Sequence, residues 1–308
     1  MAYDAIDIHQ HLWPEPLLGE LSRRRSAPML IRRAAGWVLR LRGEAEAPVD
    51  LADHDPVRRA ELVDADGLDR VLVAPSVPLG IEALPAGEAE LLLDAYHDGV
   101  AVLGDPFGAW AAVALAAPDP AALTRLLDRG FVGACIAADA LCGPDGFDRL
   151  GPVLEALERH DAPLFVHPGP VPAGAAGGMP RWWPALTHYV AGMQTAKACH
   201  AVWGRPAHPR LRVCFAMLGG LAPLQRERLV ARGGRADSDD GVYLEVSSYG
   251  ARAVDAMLRE VGVDRLVHGS DRPVCTPVEL PLGDAVHSAL RRRNPSRFLH
   301  PTATLVAA

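Results

Sequence analysis

Ala5-Ile6-Asp7-Ile8-His9-Gln10-His11 decides how the rest of this chain is read. It is a short apolar run ending in two histidines one residue apart. On a β-strand alternate side chains share a face. His9 and His11 therefore point the same way, with Asp7 one step deeper on that face. Imidazoles stacked like this can close on one divalent ion. Alone, the pair is weak evidence, and a strand end carrying two solvated or hydrogen-bonded histidines is the simpler reading.

Working outward, similar runs rich in Val, Ile and Leu recur at 70–76, 111–116, 133–138, 163–168, 211–218, 242–248 and 266–271. Continuous apolar runs suit parallel strands buried on both faces. Helical spacing fills the intervals at 56–66, 88–98, 120–129, 147–160, 183–202, 222–232 and 253–261. Leu123, Leu126 and Leu127 form one apolar set, and Val153, Leu154 and Leu157 another. Eight strands alternating with helices predict an α/β fold of the (β/α)₈ barrel type, one domain over 1–308. An open doubly wound sheet has the same alternation, but no glycine-rich nucleotide fingerprint follows the first strand. Residues 12–69 make a long insertion after that strand, with Trp13, the Arg23-Arg24-Arg25 cluster and an expected helix over 31–42. In a barrel it would cover the mouth as a lid, supply substrate contacts, or form a dimer surface.

With 308 residues and 49% hydrophobic content, the chain can bury the core such a barrel needs. Its net charge of −7 argues against a nucleic-acid or anionic-membrane partner. No apolar stretch has the length of a membrane span, and no basic region precedes an apolar signal core. The five cysteines show no C-x-x-C spacing, so they read as reduced thiols of a cytoplasmic protein. The expected partner is a small-molecule substrate, with a homodimer as the candidate assembly.

Barrel enzymes draw their ligands from strand C-termini. The first strand ends in His9 and His11, the fifth in Val166-His167-Pro168, and the eighth in Gly269-Ser270-Asp271-Arg272-Pro273. Three histidines and one aspartate thus fall at the same end of strands far apart in sequence. Singly, His167 reads as a buried histidine bonded to a carbonyl, and Asp271 as a helix cap or a partner of Arg272. Together they make a metal site the better reading.

With these motifs, and with Leu218-Gly219-Gly220-Leu221-Ala222-Pro223, the chain resembles the amidohydrolase superfamily. It is most similar to the amidohydrolase-related branch that holds aminocarboxymuconate-semialdehyde decarboxylase, 6-methylsalicylate and resorcylate decarboxylases and pyrone dicarboxylate lactonase. The resemblance implies that His9, His11, His167 and Asp271 hold one divalent cation, zinc foremost with manganese as the alternative. One departure stands out. The branch often carries an acid/base histidine at the end of the sixth strand, where this chain has Met217. His188, His200 and His268 are the candidate replacements, although His268 has the opposite parity to Asp271 and should face the helices.

The preferred expectation is a metal-dependent hydrolase of an amide, lactone or ester. In it Asp271 moves the proton of a metal-activated water. The alternative is a non-oxidative decarboxylase of a small aromatic or dienoic acid; a further one is a metal-independent lactonase or a non-catalytic binding protein. Arg272, Trp182, Trp183 and Lys197 are candidate substrate contacts. Met217 should project inward with Val213 and Phe215 and shape the pocket.

Overall fold

Residues 4–235 and 239–300 are described by a computed structural model; the remainder of the expected 1–308 unit lies outside the described residues. β1 (Ile6–Gln10) is followed by three strands of the insertion, β2 (Met29–Arg33), β3 (Gly36–Arg40) and β4 (Ala47–Val49). Then come β5 (Arg70–Val73), β6 (Phe107–Ala109), β7 (Ala111–Ala112), β8 (Ala134–Ala137), β9 (Leu164–His167), β10 (Val213–Phe215), β11 (Val242–Glu245) and β12 (Leu266–Val267). Apart from the insertion strands, every pairing is parallel, in the orders β1-β5-β6 and β7-β8-β9-β10-β11-β12.

Two seams join these arcs. β6 and β7 are halves of one strand interrupted at Trp110, whose amide donates to Val73 O at 2.9 Å while Ala111 N donates to Gly133 O at 2.8 Å. At the other seam Ile8 N donates to His268 O (3.1 Å), Asp271 N to His9 O (2.9 Å) and His11 N to Arg272 O (2.7 Å). The chain therefore forms the (β/α)₈ barrel that the alternation predicts. Three of the four ligand-type residues lie on this β1–β12 seam.

The helices form where composition dictates. Pro56–Ala65 and Pro120–Asp128 each begin with proline after an aspartate whose carboxylate accepts an amide of the first turn, at 2.9 Å for Asp55 and 2.8 Å for Asp119. Such caps contribute about 1 kcal/mol each. Pro144–Arg159 buries Phe147, Leu150, Val153, Leu154 and Leu157 on one face. No helix among the described residues is long and apolar enough to cross a membrane.

Two expectations need correction. The third strand runs over 107–112 rather than 111–116. The helix expected over 31–42 is an antiparallel hairpin, with Ile31 opposite Val38 and Arg32 opposite Trp37. A helix there would enclose Gly36, whose φ of +131° belongs to the turn of the hairpin. The β-prone Ile31, Trp37 and Val38 pair across it, and the Arg32 guanidinium stacks over Trp37 at 5.5 Å.

The insertion docks on loops at the C-terminal ends of the barrel strands. Trp13 Nε1 donates to Ser76 Oγ at 2.8 Å, and Tyr189 OH donates to Glu44 Oε1 at 2.8 Å. Gly43 lies so close to the loop after β9 that a Cβ there would meet Val171 O at 2.1 Å.

Candidate metal centre

Alternation along β1 puts Asp7, His9 and His11 on the interior face, as the sequence predicts. His9 Nε2 and His11 Nε2 lie 3.2 Å apart. Asp271 Oδ1 is 3.1 Å from His11 Nε2 and 3.5 Å from His9 Nε2. The His167 ring centroid is 4.9 Å from that of His9 and 5.1 Å from that of His11. One donor atom from each of the four residues falls within a 4.8 Å cluster, and none of the four residues is more than 8% exposed.

The outer nitrogens fix what the inner ones can do. His11 Nδ1 is 3.1 Å from Ala74 O, and His167 Nδ1 is 2.9 Å from Pro168 O. A carbonyl only accepts, so each Nδ1 carries the proton and each Nε2 turns a lone pair inward. His9 Nδ1 donates to Glu245 Oε2 at 3.2 Å. Three lone pairs and a carboxylate oxygen facing one point repel one another unless a cation joins them. The donor set therefore fits a single divalent ion, with each imidazole braced from behind as ligating histidines are.

Glu245, completely buried at the end of β11, is the brace the sequence reading missed. Besides His9 it accepts from Ser247 N (2.5 Å), Ser247 Oγ (2.8 Å) and Met217 N (3.3 Å). A Cβ on Gly269 would meet Glu245 Oε1 at 2.3 Å, so only glycine leaves room for this carboxylate. Asp7 holds the seam itself, accepting from His9 N (2.9 Å), Ser270 N (3.1 Å) and Gln10 Nε2 (2.8 Å). Arg59, only 2% exposed, donates to His11 O at 3.1 Å and Asp53 O at 3.2 Å, and pairs with Gln10 Oε1. The signal for Glu245 was a carboxylate inside an otherwise apolar strand; for Arg59 there was none, since its partners are backbone carbonyls and the neutral amide of Gln10.

Without a cation the electrostatics are those of crowded ligands. Burial opposes charging His9, but Asp271 and Glu245 outweigh it and raise its pKa to about 8. His167 is pushed well below the ordinary histidine value by burial and by His9 and His11. Burial would raise Asp271, yet His9, His11 and His167 hold it well below the usual carboxylate range. Asp271 rests as a carboxylate with φ +56°, and Ser248, Met217 and Leu218 beside the site also have positive φ. Strained backbone gathers at functional sites.

Other candidates are placed elsewhere. Arg272 turns from the cluster to a bidentate pair with Asp66, at 2.9 to 3.2 Å. Its guanidinium is held by a loop acid rather than turned toward the cluster. Trp182 is 57% exposed, and its recorded ring contact is with the half-buried Trp183 at 5.8 Å. The structure brings neither indole to the four ligand-type residues. Phe165 faces the interior, 5.0 Å from His9, and its register partner Cys214 shares that face. Phe215 therefore faces outward onto His200 at 5.8 Å, which overturns the parity argument for Met217. The strand ends at Phe215, and Met217 meets the site through its amide on Glu245. His200 packs behind β10, where burial lowers its pKa to about 4, and half-buried Lys197 packs beside Gly219 on the same outer side. His188 is half-buried on the helix His188–Cys199.

An amidohydrolase family model matches residues 6–300. The chain belongs to that family. Among solved structures this amidohydrolase is similar to the apo form of IDCase from Metarhizium anisopliae, with a TM-score of 0.79, 18% identity, and coverage of 96% of this chain and 97% of that one. It is also similar to 5-carboxyvanillate decarboxylase from Sphingomonas paucimobilis (TM-score 0.73, 16% identity, 97% and 99% covered). The third is 2,6-dihydroxybenzoate decarboxylase from Rhizobium (TM-score 0.68, 19% identity, 96% and 98% covered). Identities this low establish a shared barrel. No curated protein matches the amidohydrolase in sequence.

Proposed function

We propose that this amidohydrolase is a metal-dependent, non-oxidative decarboxylase of a small aromatic carboxylic acid bearing a ring hydroxyl. The observation that carries the reading is the two-sided placement of Asp271. Its Oδ1 faces the imidazoles of His9 and His11, while its Oδ2 lies outside the cluster, 3.5 Å from Cys275 Sγ. One carboxylate can thus serve the ion with one oxygen and the substrate with the other. The shared fold supports it: two of the similar structures are decarboxylases of aromatic acids. A third, 5-carboxyvanillate decarboxylase from Novosphingobium aromaticivorans, has manganese bound.

His9, His11, His167 and Asp271 would hold the ion, with manganese the first to test and zinc the second. When bound, it supplies a positive charge that draws the substrate's carboxylate and hydroxyl oxygens to the barrel axis. Asp271 rests ionised, so it acts first as a base and takes the hydroxyl proton. It then delivers that proton to the ring carbon bearing the carboxylate. The carbon–carboxylate bond breaks, its electron pair restores the aromatic ring, and carbon dioxide leaves. Solvent returns one proton to the product phenolate. Glu245 keeps His9 in the tautomer that leaves its Nε2 lone pair inward. Burial of the cluster excludes competing water.

Met217 favours a second reading, hydrolysis of a lactone, ester or amide. It leaves the sixth strand without an acid, and Asp271 alone could move the single proton that hydrolysis needs. Protein stripped of metal and reloaded with manganese or zinc should separate the two. It would be offered hydroxybenzoates on one side, and lactones, esters and amides on the other. Carbon dioxide release with formation of the phenol is expected. Hydrolysis of a carbonyl substrate with no decarboxylation of any hydroxybenzoate would leave only the second reading.

A further inference from the structure

A cavity of about 410 Å³ lies behind the metal centre, between the ends of β11 and β12 and the segment 275–291. That volume is in the range of small-molecule sites. Its walls have two characters. Val246, Leu280 and Leu290 are apolar, whereas His268 and Arg291 bring nitrogen donors. His268 is 9% exposed, and its ring has no hydrogen-bond partner among the described residues. Its ring nitrogens are not sealed in protein but open onto the cavity, where an occupant can reach them.

The surrounding charges leave one cation over. Asp7, Arg291, Glu245 and Asp66 are the charged groups that act on His268. Asp66 is taken by Arg272, Asp7 by the seam amides and Gln10, and Glu245 by His9, Ser247 and Met217. The one recorded bond of the Arg291 guanidinium runs to the Asp66 carbonyl oxygen at 2.9 Å, and no carboxylate pairs with it among the described residues. Glu279 reaches the cavity only at its exposed rim.

We propose that this cavity is a second ligand site, separate from the metal centre, for a small monocarboxylic acid. The carboxylate meets Arg291 and His268, and the apolar body lies against Leu280 and Leu290. A bidentate guanidinium suits a carboxylate, and the apolar wall selects a ring or short chain over inorganic anions. Two lining residues tie the cavity to the reaction centre. Ser247 Oγ is 2.8 Å from Glu245 Oε2, and Cys275 Sγ is 3.5 Å from Asp271 Oδ2. An occupant pressing on Ser247 or Cys275 is therefore felt by the brace of His9 and by the carboxylate that moves the proton. The site stands whether the metal centre decarboxylates or hydrolyses.

Calorimetric titration of the full chain with benzoate tests this, using chelator-stripped wild type and a His11→Ala/His167→Ala variant that lacks the metal centre. Both should bind one benzoate per chain. Arg291→Met should weaken binding about tenfold or more while metal uptake by the otherwise intact chain is unchanged, and benzyl alcohol should bind weaker than benzoate by a similar factor. His268→Gln, which keeps a donor of similar reach, should retain more affinity than His268→Leu. Failure of benzoate to bind, equal affinity for benzyl alcohol, or unchanged affinity in Arg291→Met would each overturn the proposal. So would binding that disappears with His11 and His167 but survives the loss of Arg291.

Discussion

Replacing Glu245 by Gln changes one charge and one pair of hydrogen-bonding roles at constant shape. The carboxylate accepts four times, from His9 Nδ1, Ser247 N, Ser247 Oγ and Met217 N. An amide offers only one accepting atom. Its nitrogen must face either the Ser247 amide or the His9 ring, and each of these is a donor. Either orientation sets N–H against N–H inside a fully buried site, and His9 loses the partner that fixed its tautomer. Loss of such an outer partner costs about 10- to 100-fold in metal affinity, equivalent to about 1.4–2.7 kcal/mol. Gly269→Ala should act through the same atom, because its Cβ would come within 2.3 Å of Glu245 Oε1. Chelator-competition titration with manganese reads both variants. Affinity within about threefold of wild type in Glu245→Gln, against the 10-fold floor expected for such a partner, would show that Glu245 does not brace a metal ligand.

Other substitutions probe separate parts of the account. Asp271→Asn should lose turnover by more than its loss of bound metal, since the amide cannot carry the proton; turnover falling only in proportion to metal content would remove the proton role. Arg272→Met should leave substrate affinity within about twofold of wild type and cost up to about 1 kcal/mol of stability, because its partner is Asp66; a tenfold rise in KM would restore it as a substrate contact. Arg59→Met strands the carbonyls of His11 and Asp53, so denaturant unfolding should show a loss of about 2–3 kcal/mol. Glu82, 3% exposed, has its pKa raised to about 7 by burial and by Asp139, against its own backbone hydrogen bond. The native state therefore binds a proton that the unfolded chain releases near 4.5. The resulting stability is complete below that pH and is lost as pH rises through about 7. The loss is on the order of 3 kcal/mol. Glu82→Gln should flatten the stability profile across this window, and an unchanged profile would show that Glu82 is not its source.

The barrel was legible because strands covered on both faces must be apolar throughout, and runs such as 163–168 and 242–248 stand out from the helical spacing between them. The insertion was misread because leucines and arginines across 31–42 satisfy helical spacing as well as a hairpin; Gly36 was the local clue. His9, His11, His167 and Asp271 were legible as residue types at strand ends. Their braces were less so. Asp7 and Glu245 act through contacts to amides and to residues distant in sequence, and Arg59 acts on backbone carbonyls, which carry no residue identity, and on Gln10, 49 residues away. The pairing of Arg272 was not legible because its partner Asp66 lies 206 residues away. Met217 was misplaced because strand alternation was extended past Phe215, where the chain leaves the strand and takes a positive φ.

Anomalous diffraction from crystals grown with manganese would test most directly that one ion at the β1–β12 seam underlies the chemistry. The account predicts a single peak per chain, bonded by the Nε2 atoms of His9, His11 and His167 and by Asp271 Oδ1, and absent from the His9→Ala protein. Two peaks within the barrel mouth, a single peak bonded by other residues, or no peak from protein shown to be folded would contradict it.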